Sequence, residues 1–302
     1  MAVLFLSDAA RGEIFRAAFA KALPDVEFHV GQAPDPAAVR WIVSWTAPDL
    51  SLYPNLELIF STGAGVDQFD LTTIPPQVGI VRMLDAHIGQ QMCEYVVMAT
   101  LALHRDLPVY LARQARGEWQ ESRNVPASQR RVGVMGLGQL GQAVLEALRP
   151  LGFRLSGYNR SARQISGVDC FTDLQAFLAQ TDILICLMPL TDQTRGILDA
   201  RLFAALPQGA RLVHVGRGAQ LVTDDLIAAL DSGHLAAAML DVTNPEPLPP
   251  DAPVWHHPGV IVTPHIASRT DDHTGAAHVV AGVTACLTGA EIPGLTDRLK
   301  GY

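Results

Sequence analysis

A strand-like run that passes directly into a glycine motif constrains this chain more than any other stretch. Residues 131–141 read RVGVMGLGQLG, in which an apolar run precedes Gly136, Gly138 and Gly141 at G-x-G-x-x-G spacing. In a dinucleotide-binding turn the first glycine allows the tight turn, the second admits the pyrophosphate, and the third lets the next helix pack close to the strand. A plain structural turn is the alternative, and these residues alone do not separate the two.

The flanking residues favour the dinucleotide turn. Residues 142–151 have the apolar spacing of a helix, and residues 154–158 read as the next strand. The unit therefore directs a helix N-terminus toward the phosphates. We predict that the whole turn binds a dinucleotide, through Gly136, Leu137, Gly138, Gln139, Leu140 and Gly141.

Length and charge limit the class of protein. A chain of 302 residues with 49% hydrophobic and 17% charged residues suits a well-packed protein of two domains. The net charge of −8 argues against general binding to nucleic acid or to an anionic membrane, and no apolar run reaches membrane-spanning length. The four cysteines form no C-x-x-C pair, which favours buried thiols in a reducing compartment. We therefore expect a cytoplasmic protein. No metal site is expected, because His256 and His257 have no partner residues at the spacing of metal ligands.

Strand-like and helical runs alternate along the chain, which predicts an α/β fold. Before the glycine turn the strands are predicted at residues 3–6, 26–30, 41–45, 58–61 and 79–82, with a helix at 13–22. Helices predicted at 88–105 and 107–116 suggest a connection between domains. Beyond the turn, strands at 183–188, 211–215, 236–242 and 260–263 and helices at 173–180, 199–206 and 223–232 predict a doubly wound, Rossmann-type parallel sheet. The helix at 223–232 has a capping signal at Thr223 and ends at Gly233, and a last helix spans 274–287.

A second glycine-rich loop, STGAGVD at 61–67, follows the fourth predicted strand. Loops at the carboxyl ends of parallel strands are where open α/β sheets bind ligands, and backbone amides at Gly63 and Gly65 can hold a carboxylate. The residues alone favour the alternative of an ordinary loop in which Asp67 caps a helix.

The residues after the second strand of the glycine unit predict the choice of cofactor. An NAD site usually has Asp or Glu at this position, whereas this strand ends in Asn159, Arg160 and Ser161, with Arg163 just beyond. Arginine can pair with a 2′-phosphate that an acid would repel. We therefore predict NADPH over NADH, with a solvated basic turn as the alternative.

Three further motifs follow later strands: VHVGRG at 213–218, LDVTNPEPLP at 240–249 and TPHIA at 263–267. Together with the two glycine loops they resemble the D-isomer-specific 2-hydroxyacid dehydrogenase family, and most of all its glyoxylate/hydroxypyruvate reductase A branch. The resemblance extends over nearly the whole chain, including VSWTAP at 43–48, QMCEY at 91–95, AALDSG at 228–233 and the terminal Gly301 and Tyr302.

The resemblance implies a role for each residue type. His265 would be the acid/base that protonates the developing alkoxide, Glu246 the carboxylate that holds it, and Arg217 the residue that binds the substrate carboxylate and polarises the carbonyl. Asp241 would lie beside the nicotinamide carboxamide. The substrate carboxylate would also meet the amides of Gly63, Ala64 and Gly65, with Trp45 closing over a small substrate.

The same resemblance implies a domain plan and an assembly. Residues 1–95 and 270–302 would form a smaller, flavodoxin-like substrate domain, and residues 96–269 would form the dinucleotide-binding domain. The usual assembly is a homodimer built largely through the cofactor domains, and the partners are small 2-keto acids.

Structural alternatives remain for each of these residues. Arg217 would be a salt-bridge residue, Glu246 a loop charge, His265 a capping or core histidine, Asp241 a turn former and Trp45 a core residue. The chain departs from the family at His214, where relatives usually have asparagine. NADPH-dependent reduction of glyoxylate and hydroxypyruvate is the leading hypothesis; the alternatives are a dehydrogenase of a bulkier D-2-hydroxy acid and a non-catalytic dinucleotide sensor on the same fold.

Overall fold

The computed structural model describes residues 1–297, apart from the side chain of Ala86, and its contacts divide the chain into two compact units. Unit 1 comprises Met1–Ile88 and the segment that begins at Arg269, and unit 2 comprises Gly89–Ser268. The predicted domain ends at 95/96 and 269/270, with the roles given to each domain, stay predictions. Gly301 and Tyr302, and with them the last five residues of the predicted substrate domain, lie outside the described residues.

Unit 1 is built on a five-stranded parallel sheet. Its strands are β1 (Ala2–Leu6), β2 (Glu27–Val30), β3 (Val39–Ser44), β4 (Leu58–Ser61) and β5 (Gly79–Val81), in the order β2-β1-β3-β4-β5. This is the 2-1-3-4-5 order of flavodoxin-like folds. The unit also contains the helices α1 (Ala9–Ala22) and α8 (Asp272–Thr288), which pack against each other.

Unit 2 is built on a seven-stranded parallel sheet in the order β12-β11-β10-β9-β6-β7-β8. The strands are β6 (Arg131–Met135), β7 (Arg154–Tyr158), β8 (Asp169–Phe171), β9 (Ile183–Cys186), β10 (Ala210–His214), β11 (Leu235–Leu240) and β12 (Val260–Val262). Its helices are α2 (Ala86–His104, which begins in unit 1), α3 (Leu107–Ala115), α4 (Gln139–Leu148), α5 (Leu174–Leu178), α6 (Ala200–Ala205) and α7 (Thr223–Asp231). Counted from β6, the order is the Rossmann order 3-2-1-4-5-6 with a seventh strand at the edge. The predicted α/β class, with a Rossmann-type sheet and a smaller flavodoxin-like sheet, is confirmed.

The large sheet is covered on both faces, as its apolar strands require. Along β9, Ile183 and Ile185 belong to the core that includes α2 and α4, whereas Leu184 and Cys186 belong to the core that includes α5, α6 and α7. Successive side chains of a strand point to opposite faces, so one continuous apolar run supplies both cores. The carboxyl ends of the strands and the loops that follow them stay available for a site.

Several element boundaries differ from the predicted ones. Helix α4 begins at Gln139, before the predicted 142, because Gly138 has an extended backbone and serves as the N-cap. The predicted cap at Thr223 is wrong: Thr223 is the first residue of α7, and the N-cap Val222 makes no side-chain hydrogen bond. The predicted end of that helix is confirmed by Gly233, which has a left-handed φ of +70°. Strand β8 was not predicted, because it is a three-residue edge strand without buried residues.

Three properties of the described residues bear on the sequence predictions. No helix within residues 1–297 is both long and apolar enough to cross a membrane. All four cysteines are free, but only Cys186 is fully buried, so the expectation of buried thiols holds for that residue and not for the partly exposed Cys93, Cys170 and Cys286. In the same part of the chain no group of three or more His, Cys, Asp or Glu side chains is arranged to hold a metal ion.

Candidate active site

The glycine turn lies at the point where the strand order of the large sheet reverses, between β6 and β9. Gly136 has φ +102°, which favours glycine, and a Cβ on Gly141 would lie 1.9 Å from the carbonyl oxygen of Gly136. The reversal point of an open parallel sheet is where such folds bind their ligands. The turn therefore has the backbone that a dinucleotide site requires, at the expected place.

The residues of the turn fit a pyrophosphate through their backbone. Gly138 is exposed, precedes the N-terminus of α4, and would carry a Cβ with no atom within 4 Å, so a ligand can approach it closely. Leu137 is fully buried against Gly157, so it can offer only backbone groups to a ligand. Leu140 is partly buried and packs against the core that contains Leu137. Gln142, which the sequence reasoning missed, donates its side-chain amide to the Leu137 carbonyl at 3.0 Å and braces the turn.

The end of β7 carries exposed basic and polar groups and no acid among residues 159–163. The Asn159 amide donates to the backbone oxygen and the hydroxyl of Ser161 at 3.0 and 2.9 Å, which shapes the turn. The Arg160 guanidinium donates to the Gln193 side chain at 3.2 Å, while Arg163 lines an open groove beside β8. The donor set fits a 2′-phosphate, and Gln193 is a residue that the sequence reasoning did not find.

A histidine and a glutamate meet at the carboxyl end of the sheet. His265 follows β12 and Glu246 follows β11, and the His265 Nδ1 lies 2.8 Å from the Glu246 Oε2. The other carboxylate oxygen of Glu246 accepts the amide of Thr243 at 2.9 Å. Because Nδ1 is engaged by the carboxylate, Nε2 is the ring nitrogen left to exchange a proton with a substrate.

Glu246 raises the pKa of His265, and His265 helps to lower the pKa of Glu246. The hydrogen bond and negative charge of Glu246 raise the pKa of His265 above its ordinary value, against the opposing effects of burial and of Arg217. Partial burial alone would raise the pKa of Glu246, but hydrogen bonds from His265 and Thr243 and the charges of His265 and Arg217 hold it below the ordinary value. The arrangement stabilises an imidazolium beside a carboxylate, which is the ionisation state that a proton donor needs.

Arg217 lies near this pair in the same unit. It follows β10 between Gly216 and Gly218, is half-buried, and donates one guanidinium N–H to the Gly216 carbonyl at 2.9 Å. Its charge lowers the pKa of both Glu246 and His265, so it acts on the pair electrostatically. The structure thus brings together the three residues that the sequence singled out as catalytic.

Asp241 organises the loop that carries His265. It is 2% exposed at the end of β11, and its carboxylate accepts the Thr263 hydroxyl at 2.6 Å and the amides of Ile266 and Ala267 at 2.8 Å. Its carbonyl also accepts the His265 amide at 2.8 Å. The contact of Asp241 with nicotinamide stays a prediction. The sequence reasoning missed that the Asp241 carboxylate accepts three hydrogen bonds that hold this loop.

These bonds hold His265 in a backbone conformation that only a well-supported loop maintains. The residue has φ +53°, in the left-handed region, which costs a non-glycine residue on the order of 1 kcal/mol. Thr263 donates to Asp241, so the Tyr95 hydroxyl, 2.6 Å away, must donate to Thr263. Burial raises the pKa of Tyr95 to about 12, which keeps this donor protonated.

The predicted substrate-binding loop lies in unit 1. Ser61 closes it, since its hydroxyl donates to the Gly65 carbonyl at 2.9 Å and accepts the Gly63 amide at 3.2 Å. Among the described residues nothing accepts the amides of Ala64 and Gly65, so these two, more than Gly63, are available to an anion. Residues 66–78 form turns, and the alternative that Asp67 caps a helix is wrong.

Trp45 is exposed beside this loop. The side chain contacts Gly63, where an added Cβ would lie 2.9 Å from the indole ring, and 43% of the residue's surface is open to solvent. Trp45 is therefore not the core residue of the structural alternative. Its predicted part in substrate binding, with Gly63, Ala64 and Gly65, stays a prediction.

Comparison with known proteins agrees with this geometry. Residues 97–267 match the family model described as the D-isomer specific 2-hydroxyacid dehydrogenase, NAD binding domain. The match spans more than half of the chain and contains the glycine turn, Arg217, Asp241, Glu246 and His265.

Solved structures resemble the whole chain. A D-isomer-specific 2-hydroxyacid dehydrogenase from Xanthobacter autotrophicus Py2, in complex with NADPH and MES, is 35% identical, with a TM-score of 0.90 over 100% of this chain and 99% of that one. An NADPH-dependent glyoxylate/hydroxypyruvate reductase from Sinorhizobium meliloti, in complex with NADP and sulfate, is 36% identical, with a TM-score of 0.89 over 100% and 99%. A family protein from Klebsiella pneumoniae 342 is also 36% identical, with a TM-score of 0.91 over 99% and 98%.

Proposed function

Because this chain belongs to the D-isomer-specific 2-hydroxyacid dehydrogenase family, we propose that it reduces glyoxylate and hydroxypyruvate with NADPH. The observation that carries the proposal is the 2.8 Å bond between His265 and Glu246 beside Arg217, at the carboxyl end of the sheet that bears the glycine turn. The full-length similarity to a reductase of these two acids supports the choice of substrate.

Each of these residues has a defined task in the proposed reaction. NADPH supplies the hydride when bound. Arg217 binds the substrate carboxylate with its planar fork and draws electron density from the carbonyl, and the imidazolium of His265 gives its proton to the alkoxide oxygen. Glu246 keeps the ring oriented and protonated until that transfer.

The assay for this function is the loss of NADPH absorbance in a panel of keto acids run with both cofactors. We expect turnover with glyoxylate and hydroxypyruvate, and higher kcat/KM with NADPH than with NADH. Preference for a bulky 2-keto acid would favour the alternative dehydrogenase. Cofactor-dependent assembly without turnover would favour the dinucleotide sensor.

Replacing Glu246 by glutamine should move the alkaline limit of the reduction to lower pH. Reduction requires the protonated imidazole, so activity is present below the pKa of His265 and is lost as the pH rises through it. Glu246 raises that pKa, so the neutral glutamine should lower the pKa of His265 and with it the alkaline limit of kcat. The measurement is kcat against pH for both enzymes. The same limit in both would show that Glu246 does not act through His265.

Replacing Arg160 by glutamate should lower kcat/KM for NADPH by about 10- to 100-fold, the equivalent of one charge-assisted hydrogen bond. The efficiency with NADH should change little or rise, because a carboxylate can accept from the ribose hydroxyls. Arg201→Glu, the same charge change on the exposed side of α6, is the matched control. Equal losses with both cofactors would exclude Arg160 as the residue that selects the phosphate.

We also propose a homodimer formed through unit 2. Exposed apolar side chains lie along α2, α3 and the following loop: Met98, Leu107, Leu111 and Trp119, the last of them fully exposed. Trp119→Asp should shift the protein toward the monomer in sedimentation velocity, whereas Leu52→Asp, at an exposed apolar position of unit 1, should not. A wild-type monomer at micromolar concentration would contradict the proposal.

We also propose a cytoplasmic location, because the four cysteines are free thiols and a reducing compartment keeps thiols from forming disulfides.

A further inference from the structure

Two fully buried side chains hold the backbone of Arg217 from both sides. The Arg217 amide donates to the Gln220 side-chain oxygen at 2.8 Å, and the Arg217 carbonyl lies 2.9 Å from the Nε2 of His214. Both side chains are 0% exposed. We call His214 and Gln220 the Arg217 clamp. Neither residue touches the His265–Glu246 pair through a hydrogen bond in the described chain, so the clamp has a separate task.

Gln220 connects the clamp to the neighbouring strand. Its amide donates to the carbonyls of Met188 and Pro189, just beyond β9, at 3.1 Å each. The side-chain oxygen would lie 2.3 Å from a Cβ on Gly216, so the loop passes directly over it. Every polar atom of this buried amide is therefore used to fix the path of the backbone into Arg217.

The other side of the loop has equally little room. A Cβ on Gly218 would lie 1.8 Å from the carbonyl oxygen of Thr243. The glycines on both sides of Arg217 are thus required by close approach, and the backbone at Arg217 lies between two closely packed neighbours. Its backbone, at φ −137° and ψ 138°, sets the direction in which the long side chain leaves the loop.

His214 takes part as a neutral donor. A carbonyl oxygen only accepts, so the Nε2 of His214 carries the hydrogen, and its Nδ1 is a lone pair that has no hydrogen-bond partner within residues 1–297. Burial lowers the pKa of His214 to about 4, with the charge of Arg217 acting in the same direction and Glu246 opposing it. The ring is therefore uncharged at neutral pH and is distinct from the proton donor His265.

We propose that His214 and Gln220 are positioning residues that aim the guanidinium of Arg217 at the substrate carboxylate. The inference rests on the proposed function, in which Arg217 binds that carboxylate. A misplacement of about 1 Å at a substrate-binding group can cost about 100-fold in rate, so the bonds at the base of the side chain matter for the fork at its end.

The test compares two substrates that differ in the carboxylate. The ratio of kcat/KM for hydroxypyruvate to that for glycolaldehyde, which lacks the carboxylate, should fall by about tenfold or more in His214→Leu and Gln220→Met. His214→Gln, which keeps an N–H donor, should restore most of the ratio. The dissociation constant for NADPH should stay at its wild-type value, because the clamp does not act on the glycine turn.

The control is His234→Leu. The Nε2 of His234 also contacts a backbone carbonyl, that of Phe203 at 2.8 Å, but His234 precedes β11 at the opposite end of the sheet. It should leave the substrate ratio unchanged. Where His214→Leu does not fold, as judged by its melting transition, Gln220→Met decides, because it opens the other side of the clamp.

Arg217→Leu separates the clamp from the proposed function. If Arg217→Leu leaves the ratio at the wild-type value, Arg217 does not bind the carboxylate, and the proposed function of this residue fails. If Arg217→Leu collapses the ratio while folded His214→Leu and Gln220→Met do not, the function stands and the clamp is overturned.

Discussion

Replacing His265 by asparagine should lower kcat for keto-acid reduction by about 10²–10⁴-fold, the usual effect of losing a general acid. The ring is held by Glu246 at 2.8 Å and by the loop that Asp241 fixes, so its Nε2 is oriented for one task. Asparagine tolerates the left-handed backbone at φ +53° better than most residues, which keeps the loop folded while the proton donor is removed. The measurement is steady-state kcat with saturating NADPH and keto acid.

The pH profile makes this prediction specific to proton transfer. The wild-type rate of reduction should fall as the pH rises through the raised pKa of His265, and the residual rate of His265→Asn should lack this fall. The control is His256→Asn, which changes an exposed histidine between β11 and β12 that has no part in the proposed proton transfer, and it should behave as wild type. A His265→Asn enzyme with the full rate and the wild-type profile would remove His265 from the mechanism.

Local sequence signals were sufficient for most of the fold. Most strands of the two sheets are buried apolar runs ended by turn residues. The G-x-G-x-x-G spacing located the reversal point of the large sheet because Gly136 and Gly141 meet steric demands that no other residue satisfies. The misses were of another kind. β8 is held by pairing with β7 and not by its own burial, and α7 begins without the cap that Thr223 suggested.

The candidate site could be predicted only in part. The order of the motifs along the chain pointed to Arg217, Glu246 and His265. The hydrogen bonds that support these residues join strand ends that are far apart in the sequence. Asp241 reaches Ile266 and Ala267, and Gln220 reaches Met188 and Pro189. No periodicity or spacing encodes such contacts, because they depend on which strands become neighbours in the folded sheet.

Glu246 and Arg217 shift the pKa of His265 in opposite directions. The alkaline limit of kcat therefore tests both effects. Glu246 raises the pKa of the imidazole and Arg217 lowers it. The net effect favours the imidazolium, which is the form that can donate a proton to the developing alkoxide. Substrate that neutralises Arg217 with its carboxylate weakens the lowering effect, so binding itself favours the protonated, reactive form of His265.

Replacing Arg217 by leucine should lower kcat/KM for hydroxypyruvate by roughly 10²–10³-fold, the effect of losing a charged group that stabilises the transition state. Leucine removes both the bidentate contact with the carboxylate and the polarisation of the carbonyl. The measurement is kcat/KM at fixed, saturating NADPH.

The direction of the pH shift distinguishes a loss of charge from a loss of geometry at Arg217. Without the cation the pKa of His265 should rise, so the alkaline limit of kcat should move to higher pH, opposite to the shift expected for Glu246→Gln. Arg217→Lys keeps the charge but not the planar fork, so it should retain the wild-type limit while losing most of the carboxylate recognition. If lysine restored kcat/KM fully, the bidentate contact would be unnecessary, and Arg217 would contribute only its charge.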